Sequence, residues 1–172
     1  MADVPAFVKI RNNVESPRRG INFVTKKIVK NISDITKGKL DKLSLGNLNA
    51  KRDWSHAKDS ALAMWKILQA DKPDDYVIAS GECHSVREFV ELAFKYVGIE
   101  IAWKGSGIDE VGYDKKTNKI LITIDRVLFR PDDVKKVMFG DTSKLKRETG
   151  WVSSYKFKDI VKEMIEHELN DL

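Results

Sequence analysis

Apolar side chains recur at spacings of three and four positions along much of the chain, which is typical of amphipathic helices. The spacing predicts helices over residues 22–32, 55–70, 86–97 and 156–169, and a short helix that ends near residue 149. The residues expected to face inward from the second helix are Ala57, Ala61, Met64, Trp65 and Leu68. Those of the third helix are Val86, Phe89, Val90, Ala93, Phe94 and Val97. Those of the last helix are Phe157, Ile160, Val161, Met164, Ile165 and Leu169.

Residues at the ends of these segments support the helix assignments. Ser85 and Glu88 have the spacing of a capping box, in which the two side chains satisfy backbone N–H groups that the helix leaves unbonded. Gly98 is expected to end the same helix. Asp141 or Thr142 is expected to cap the short helix near the end of the chain.

Short apolar runs bounded by turn residues predict strands between the helices. They lie at residues 7–10, 42–45, 76–79, 100–103 and 120–124. The stretch between the last two strands is rich in Gly, Asp and Lys, and it is predicted to be a loop. Because helices and strands alternate, the predicted class is α/β or α+β.

Composition narrows the class of protein. The 172 residues include 42% apolar residues, which is enough for a buried core. No apolar run approaches the roughly 18 residues that span a bilayer, and no secretory signal pattern is visible at the N-terminus. Cys83 is the single cysteine, which excludes an internal disulfide and any metal site with more than one Cys. A reducing, cytoplasmic setting is therefore expected.

The distribution of charge and the absence of several known motifs narrow the possible functions. The net charge is +5, from 31 Lys and Arg against 26 Asp and Glu, but acidic residues interrupt every basic cluster. This pattern favours a mixed solvated surface over a nucleic-acid interface, with a phosphate-bearing small ligand as the alternative. Gly-rich phosphate loops, H-E-x-x-H and G-x-S-x-G are absent. His56, His84 and His167 lie far apart and are expected at the surface or at caps, and Cys83 beside His84 is not expected to form a thiolate–imidazole pair.

A collinear set of segments resembles GDP-mannose 4,6-dehydratases, which are extended short-chain dehydrogenase/reductase enzymes. The segments are NVESPRRGINFVT at 13–25, SLGNL at 44–48, KRDWSHAKD at 51–59, AMW at 63–65, GECHSVREFV at 81–90, RPDDV at 130–134 and GD at 140–141. They occur in the family's order over about residues 11–170, and the first ten residues do not fit. So long a set is more specific than any one motif.

The resemblance covers roughly the C-terminal half of such an enzyme. It implies an α/β fold, with a remnant of a Rossmann-type NAD(P)-binding domain and the smaller α/β sugar-nucleotide-binding domain. Residues 1–70 are expected to form the remnant with substrate-binding insertions, and residues 71–172 mainly the substrate domain. The family's Gly-rich loop and its Tyr-x-x-x-Lys pair have no counterpart here, so no catalytic residue is assigned.

The resemblance implies GDP-mannose as the substrate. Arg52 and Arg130 match arginines that bind the diphosphate, a role that suits the planar guanidinium with its paired donors. Asp133 matches an acidic residue, more often Glu in the family, that holds the ribose hydroxyls. Asn22 and Phe23 match residues that line the nucleotide at a helix start, where free N–H groups favour an anion.

Four further residues complete the implied substrate site and its cofactor side. The expected guanine pocket includes Lys26, Leu45 and Gly46, and Asn13 matches an asparagine that contacts the substrate near the cofactor. Implied cofactor contacts to NADP come from Arg19 and from the position of Val14. That position is usually His in the family, so one hydrogen bond is lost. A second departure, SAL at 60–62, affects the surface of a helix and with it expected subunit contacts.

The implied reaction oxidises the mannose at C4, eliminates water across C5 and C6, and reduces C6, giving GDP-4-keto-6-deoxymannose. We expect a truncated or split dehydratase chain, inactive alone, that forms a homo-oligomer or needs its missing N-terminal half. The alternative is a non-catalytic GDP-sugar-binding or interaction module. Arg52 in a salt bridge with Asp53, Arg130 as a loop charge and Arg19 as solvated surface also remain open. Trp54, Trp65 and Trp151 are expected in the core.

Overall fold

Five helices and ten short strands make up the part of the chain that the computed structural model describes, residues 9–11, 13–134 and 139–170. The helices are α1 (Val24–Thr36), α2 (Ala57–Ile67), α3 (Val86–Tyr96), α4 (Ser143–Thr149) and α5 (Phe157–Asn170). All five predicted helices are therefore confirmed, with ends that differ by a few residues.

The strands form one four-stranded sheet and three pairs. They are β1 (Lys9–Arg11), β2 (Asn13–Glu15), β3 (Leu43–Leu45), β4 (Lys51–Arg52), β5 (Trp54–His56), β6 (Tyr76–Ile78), β7 (His84–Ser85), β8 (Ile101–Lys104), β9 (Val111–Asp114) and β10 (Ile120–Ile124). The larger sheet has the order β3-β10-β9-β8, with β3 parallel to β10 and the other pairings antiparallel. The pairs are β1 with β6 and β2 with β5, both parallel, and β4 with β7, antiparallel.

The strand predictions fared unevenly. Four of the five predicted strands match β3, β6, β8 and β10. The fifth is seen only as part of β1, because residues 7 and 8 lie outside the described residues. The predicted loop between β8 and β10 is wrong, because it contains β9. Gly112 lies at the centre of β9, where an added Cβ would come within 2.8 Å of the Trp103 ring and 2.7 Å of Ile122. The buried position of this strand is a glycine, so no apolar side chain marks the strand in the sequence.

Two apolar clusters hold these elements together. The larger packs α1, α3 and α5 on the four-stranded sheet, and Phe89, Phe94 and Ile122 are fully buried in it. The smaller joins α2, α4 and β6, with Trp151 1% exposed at its centre. The predicted inward faces of α3 and α5 are confirmed. The capping box of α3 is confirmed as well.

The predicted inward face of α2 is wrong. Trp65 is 59% exposed and Leu68 is 63% exposed, although Trp54 and Trp151 are buried as expected. The helix instead buries a face that includes Asp59, which is 2% exposed. That carboxylate accepts four hydrogen bonds from residues 153–155, which satisfy the buried charge and fix the rotation of the helix.

Both residues predicted as the cap of α4 take part at the start of this helix, in different ways. Thr142 occupies the cap position, but its side chain makes no capping hydrogen bond. Asp141 Oδ1 accepts the hydrogen bond from Ser143 N at 2.9 Å instead. Gly150 then ends the helix with φ of 65°, in the left-handed region that suits glycine.

Candidate functional site

A cavity of about 320 Å³ opens between the start of α1, the β3–β4 connection and the loop that follows β10. Six of the residues predicted for the substrate line it: Asn22, Leu45, Gly46, Arg52, Arg130 and Asp133. Three separate regions of the chain therefore converge on one place. The structure thus brings together six of the nine residues predicted for the substrate, and Asn13, Phe23 and Lys26 are not among the lining residues.

Close backbone packing positions the loop after β10 against the turn after β3. Asp125 N donates to Leu45 O at 2.7 Å, which continues the β3–β10 pairing. At Gly46 an added Cβ would lie 2.4 Å from the carbonyl oxygen of Leu128, so only glycine admits the loop this closely. Asn47 Nδ2 then donates to Arg130 O at 2.9 Å. The turn and the loop thus form one wall that carries Arg130 to the cavity.

The cavity is positively charged. Lys27, Arg52 and Arg130 line it, against the single carboxylate of Asp133. Arg52 Nη2 lies 3.4 Å from Asp133 Oδ2, and Arg52 Nη1 donates to Lys51 O at 2.8 Å. The first turn of α1 has no acidic residue, and its cap makes no side-chain hydrogen bond, so its N–H groups add to the positive potential. The arrangement suits an anionic ligand.

Of the two adjacent lysines on α1, Lys27 lines the cavity and Lys26 does not. Lys26 Nζ donates to Pro17 O at 2.8 Å and pairs with the Glu168 carboxylate of α5. The helix separates adjacent residues by about 100°, so the two side chains leave it in different directions. Lys27 and Asn47 also line the cavity but were not predicted from the sequence. Asn47 could have been predicted, because it follows Gly46 directly in the turn.

The residues predicted for the cofactor side lie apart from the cavity. Asn13 and Val14 belong to β2, and Arg19 follows in the turn that leads to α1. The Arg19 guanidinium lies 3.4 Å from the centre of the Phe23 ring, and its Nε is 3.5 Å from Glu15 Oε2. Contacts on two sides therefore hold the guanidinium in place. Phe23 remains 48% exposed at the start of α1.

Glu15 is the buried carboxylate that supports this arrangement. It is 1% exposed and accepts a hydrogen bond from Thr25 Oγ1 at 2.5 Å. Burial raises the pKa of Glu15, while the hydrogen bond from Thr25 and the charge of Arg19 act in the opposite direction. The carboxylate thus links β2, the turn and the first turn of α1.

The other candidate groups show structural roles. His56 Nδ1 accepts from Lys58 N at 3.1 Å and caps α2, as expected for a capping histidine. His84 stacks on Phe157 with ring centres 3.9 Å apart. Burial raises the pKa of the Cys83 thiol, which disfavours the thiolate. Among residues 9–11, 13–134 and 139–170, no cluster of three or more His, Cys, Asp or Glu could hold a metal ion.

A second, larger cavity of about 890 Å³ lies beside α3 and β8. Its carboxylates already have partners within the chain. Glu88 closes the capping box, Glu91 accepts from Trp103 Nε1 at 2.7 Å, and Glu100 pairs with Lys115. The smaller, positively charged cavity is therefore the better candidate for a ligand site.

Solved structures share the fold of this chain over nearly its whole length. One is RMD from Pseudomonas aeruginosa complexed with NADPH, with a TM-score of 0.79 and 19% identity, covering 98% of this chain and 50% of that one. Another is dTDP-glucose 4,6-dehydratase from Bacillus anthracis in complex with NAD, with a TM-score of 0.73 and 19% identity, covering 99% and 46%. The predicted α/β class, with a Rossmann-type fold, is confirmed.

The family follows from sequence comparison. The family model described as GDP-mannose 4,6 dehydratase matches residues 1–164, and the chain belongs to this family. It is 50% identical over 154 residues to a GDP-mannose 4,6 dehydratase of Cricetulus griseus and 48% identical over 157 residues to one of Drosophila melanogaster. These matches cover 90% and 91% of this chain but 41% and 40% of the relatives. The chain thus spans less than half the length of these relatives.

None of the helices in the described part of the chain is both long and apolar enough to cross a membrane.

Proposed function

We propose that the chain is the GDP-sugar-binding part of a GDP-mannose 4,6-dehydratase, a lyase that converts GDP-mannose to GDP-4-keto-6-deoxymannose. The observation that carries the proposal is the convergence of Arg52, Arg130 and Asp133 on one positively charged cavity. The family suggests GDP-mannose as the substrate, and the cavity contains charged groups that suit its diphosphate and ribose. A cytoplasmic location accords with the single cysteine.

Each charged group has a proposed part in binding. Arg52 and Arg130 donate to the diphosphate, because a guanidinium offers paired N–H donors to phosphate oxygens. Asp133 accepts hydrogen bonds from the ribose hydroxyls. Asn22 lines the nucleotide beside the N-terminus of α1, and Phe23 lies next to it at the cap.

The guanine is proposed to lie against Leu45 and Gly46. Gly46 has no side chain to fill the space, and its close contact with the Leu128 carbonyl sets the shape of that wall. Lys26 was the lysine expected in this pocket. The cavity lining supports Lys27 for that role, and Lys26 would have to leave Glu168 to reach it.

NADP is the proposed cofactor, and this chain offers it only part of a site. Arg19, held by Glu15 and Phe23, presents a fixed guanidinium suited to a phosphate of the cofactor. Val14 offers no hydrogen bond, and Asn13 lies on the same strand near the proposed substrate. When bound, NADP supplies the hydride chemistry, and the residues of this chain orient the sugar nucleotide.

Calorimetry with GDP-mannose and GDP tests the binding proposal. Arg52→Ala and Arg130→Ala should each weaken binding about tenfold or more, because a hydrogen bond to a charged group contributes about 1.5–3 kcal/mol. Arg126→Ala is the matched control, since Arg126 lies in the same loop, is exposed and pairs with Asp109 at 3.8 Å. Equal affinities for all three variants would reject the site.

Activity measurements test the rest of the proposal. The isolated 172-residue chain should not turn over GDP-mannose, because it has no Tyr-x-x-x-Lys sequence. Adding the nucleotide-binding half of a relative as a separate polypeptide should restore activity if the two parts assemble. Turnover by the isolated chain would contradict the assignment. Size-exclusion chromatography with light scattering tests the expected homo-oligomer.

A non-catalytic GDP-sugar-binding module is the second candidate. It is favoured by the positive charge of the cavity, which can bind an anion without any catalytic residue. Binding of GDP-mannose without activity, even with the complementing half present, would support it over the dehydratase.

A further inference from the structure

The proposed diphosphate and ribose residues contact each other across the cavity. Arg52 Nη2 lies 3.4 Å from Asp133 Oδ2, and the two side chains are 23% and 27% exposed. Arg52 reaches this position from β4, and Asp133 from a short 3₁₀ turn, Pro131–Val134. Any anion that binds Arg52 on this side therefore meets the carboxylate of Asp133.

One N–H donor of the same guanidinium already bonds within the chain. Arg52 Nη1 donates to the carbonyl of Lys51 at 2.8 Å, which fixes the guanidinium against its own strand. Nη2 is then the group that a ligand phosphate can take over from Asp133. The turn that carries Asp133 is itself held, because Asp133 N donates to Arg130 O at 3.2 Å and Asn47 holds the same carbonyl.

The consequence differs between two kinds of anion. A bare diphosphate that binds at Nη2 separates Arg52 from Asp133, and it leaves the carboxylate facing an anion without a partner, which is unfavourable. A nucleoside diphosphate brings two ribose hydroxyls that can donate to the carboxylate as the phosphate takes the arginine. Only the second ligand replaces both halves of the pair.

We propose that Asp133 makes the cavity selective for nucleoside diphosphates over bare phosphate anions, by occupying Arg52 until a ribose-bearing ligand satisfies both residues. The inference rests on the proposed function, because it assumes that the diphosphate binds Arg52. It goes further in giving Asp133 a role in excluding ligands as well as in binding one.

Calorimetry with GDP and with inorganic pyrophosphate, at one ionic strength and without divalent cations, tests the proposal. Asp133→Asn removes the charge that competes for Arg52, so pyrophosphate should bind about threefold tighter. The same change weakens the acceptor for the ribose hydroxyls, so GDP should bind about tenfold more weakly. Asp133→Glu keeps the charge and should keep most of the preference for GDP.

Asp132→Asn is the matched control, because it removes the same charge from the neighbouring position. Asp132 does not line the cavity, so its substitution should strengthen both ligands slightly and to a similar extent. Opposite changes for the two ligands in Asp133→Asn, and parallel changes in Asp132→Asn, are the expected result.

Two outcomes separate the failure of this inference from that of the proposed function. If wild-type protein does not bind GDP, or if Arg52→Ala leaves its affinity unchanged, the proposed function fails and the inference fails with it. If GDP binds through Arg52 but Asp133→Asn leaves pyrophosphate binding unchanged, undetectable or weaker, the inference alone is overturned.

Discussion

Replacement of Asp59 should destabilise the chain more than replacement of any exposed carboxylate. Its side chain is 2% exposed and accepts four hydrogen bonds from residues 153–155. The donors are Ser153 Oγ at 2.9 Å, Ser154 N at 3.0 Å, Ser154 Oγ at 2.6 Å and Tyr155 N at 2.9 Å. Asp59 thereby joins α2 to the segment that leads into α5.

The magnitude follows from the donors left behind. Asp59→Ala leaves two partly buried backbone N–H groups and two serine hydroxyls without this acceptor. At about 1 kcal/mol for each of the four donors, the lower end of the cost of an unsatisfied buried group, the loss should be about 4 kcal/mol. Asp59→Asn keeps one oxygen where Oδ2 accepts three of the bonds, but it removes the charge. Charged acceptors are worth roughly 1 kcal/mol more per bond than neutral ones, so weakening these three bonds should lose about 3 kcal/mol.

Urea unfolding, followed by far-UV circular dichroism and extrapolated with a shared slope, measures these losses. Asp141→Ala is the control, because Asp141 is exposed and accepts one backbone hydrogen bond, from Ser143. That variant should lose only about 1 kcal/mol. If Asp59→Ala is no less stable than Asp141→Ala, the account of why α2 buries its polar face is refuted.

Three further predictions concern burial, close packing and pH. Trp151→Ala should lower the free energy of unfolding by about 4 kcal/mol and Trp65→Ala by less than about 1 kcal/mol, because only the Trp151 ring is buried. Equal losses in urea unfolding would contradict the exposed position of Trp65 on α2. Gly46→Ala should weaken GDP binding about tenfold in calorimetry, since its Cβ would lie 2.4 Å from the Leu128 carbonyl oxygen and overpacking costs about 1–3 kcal/mol; unchanged affinity would show that the loop yields freely. Burial raises the folded-state pKa of Glu15 above 4.5, so the folded state holds this proton more tightly and stability falls as pH rises from 4.5 through the folded pKa. Glu15→Gln should remove the contribution of Glu15 to this loss of stability, measured by urea unfolding at several pH values above 4.5. The same dependence of unfolding free energy on pH in both proteins would contradict the raised pKa of Glu15.

The resemblance correctly placed in the cavity several residues of the turn after β3, of β4 and of the loop after β10, but Asn13 on β2 lies apart from it. Leu45, Gly46, Arg52, Arg130 and Asp133 all line the cavity as expected. Helical positions were harder, because a shift of one residue along α1 turns a side chain by about 100°. The contact between Arg52 and Asp133 was invisible in the sequence, since the residues lie 81 positions apart (133 − 52) and meet only in the folded chain.

Local patterns in the amino-acid sequence were enough to predict the five helices, the inward faces of α3 and α5, and the charged groups available for an anionic ligand. Those faces are strongly apolar, so local periodicity and burial agree. The rotation of α2 and the presence of β9 depend instead on contacts between distant segments of the chain. In α2 the Asp59 carboxylate accepts four hydrogen bonds from residues 153–155, so the face of the helix that carries it can be buried. Trp65 lies on another face of the helix and is exposed to solvent. In β9 the inward position is a glycine, and its burial depends on a neighbouring strand's Trp103 rather than on its own side chain. Hydrogen bonds and packing between distant segments decide such cases, and no local pattern of apolar residues records them.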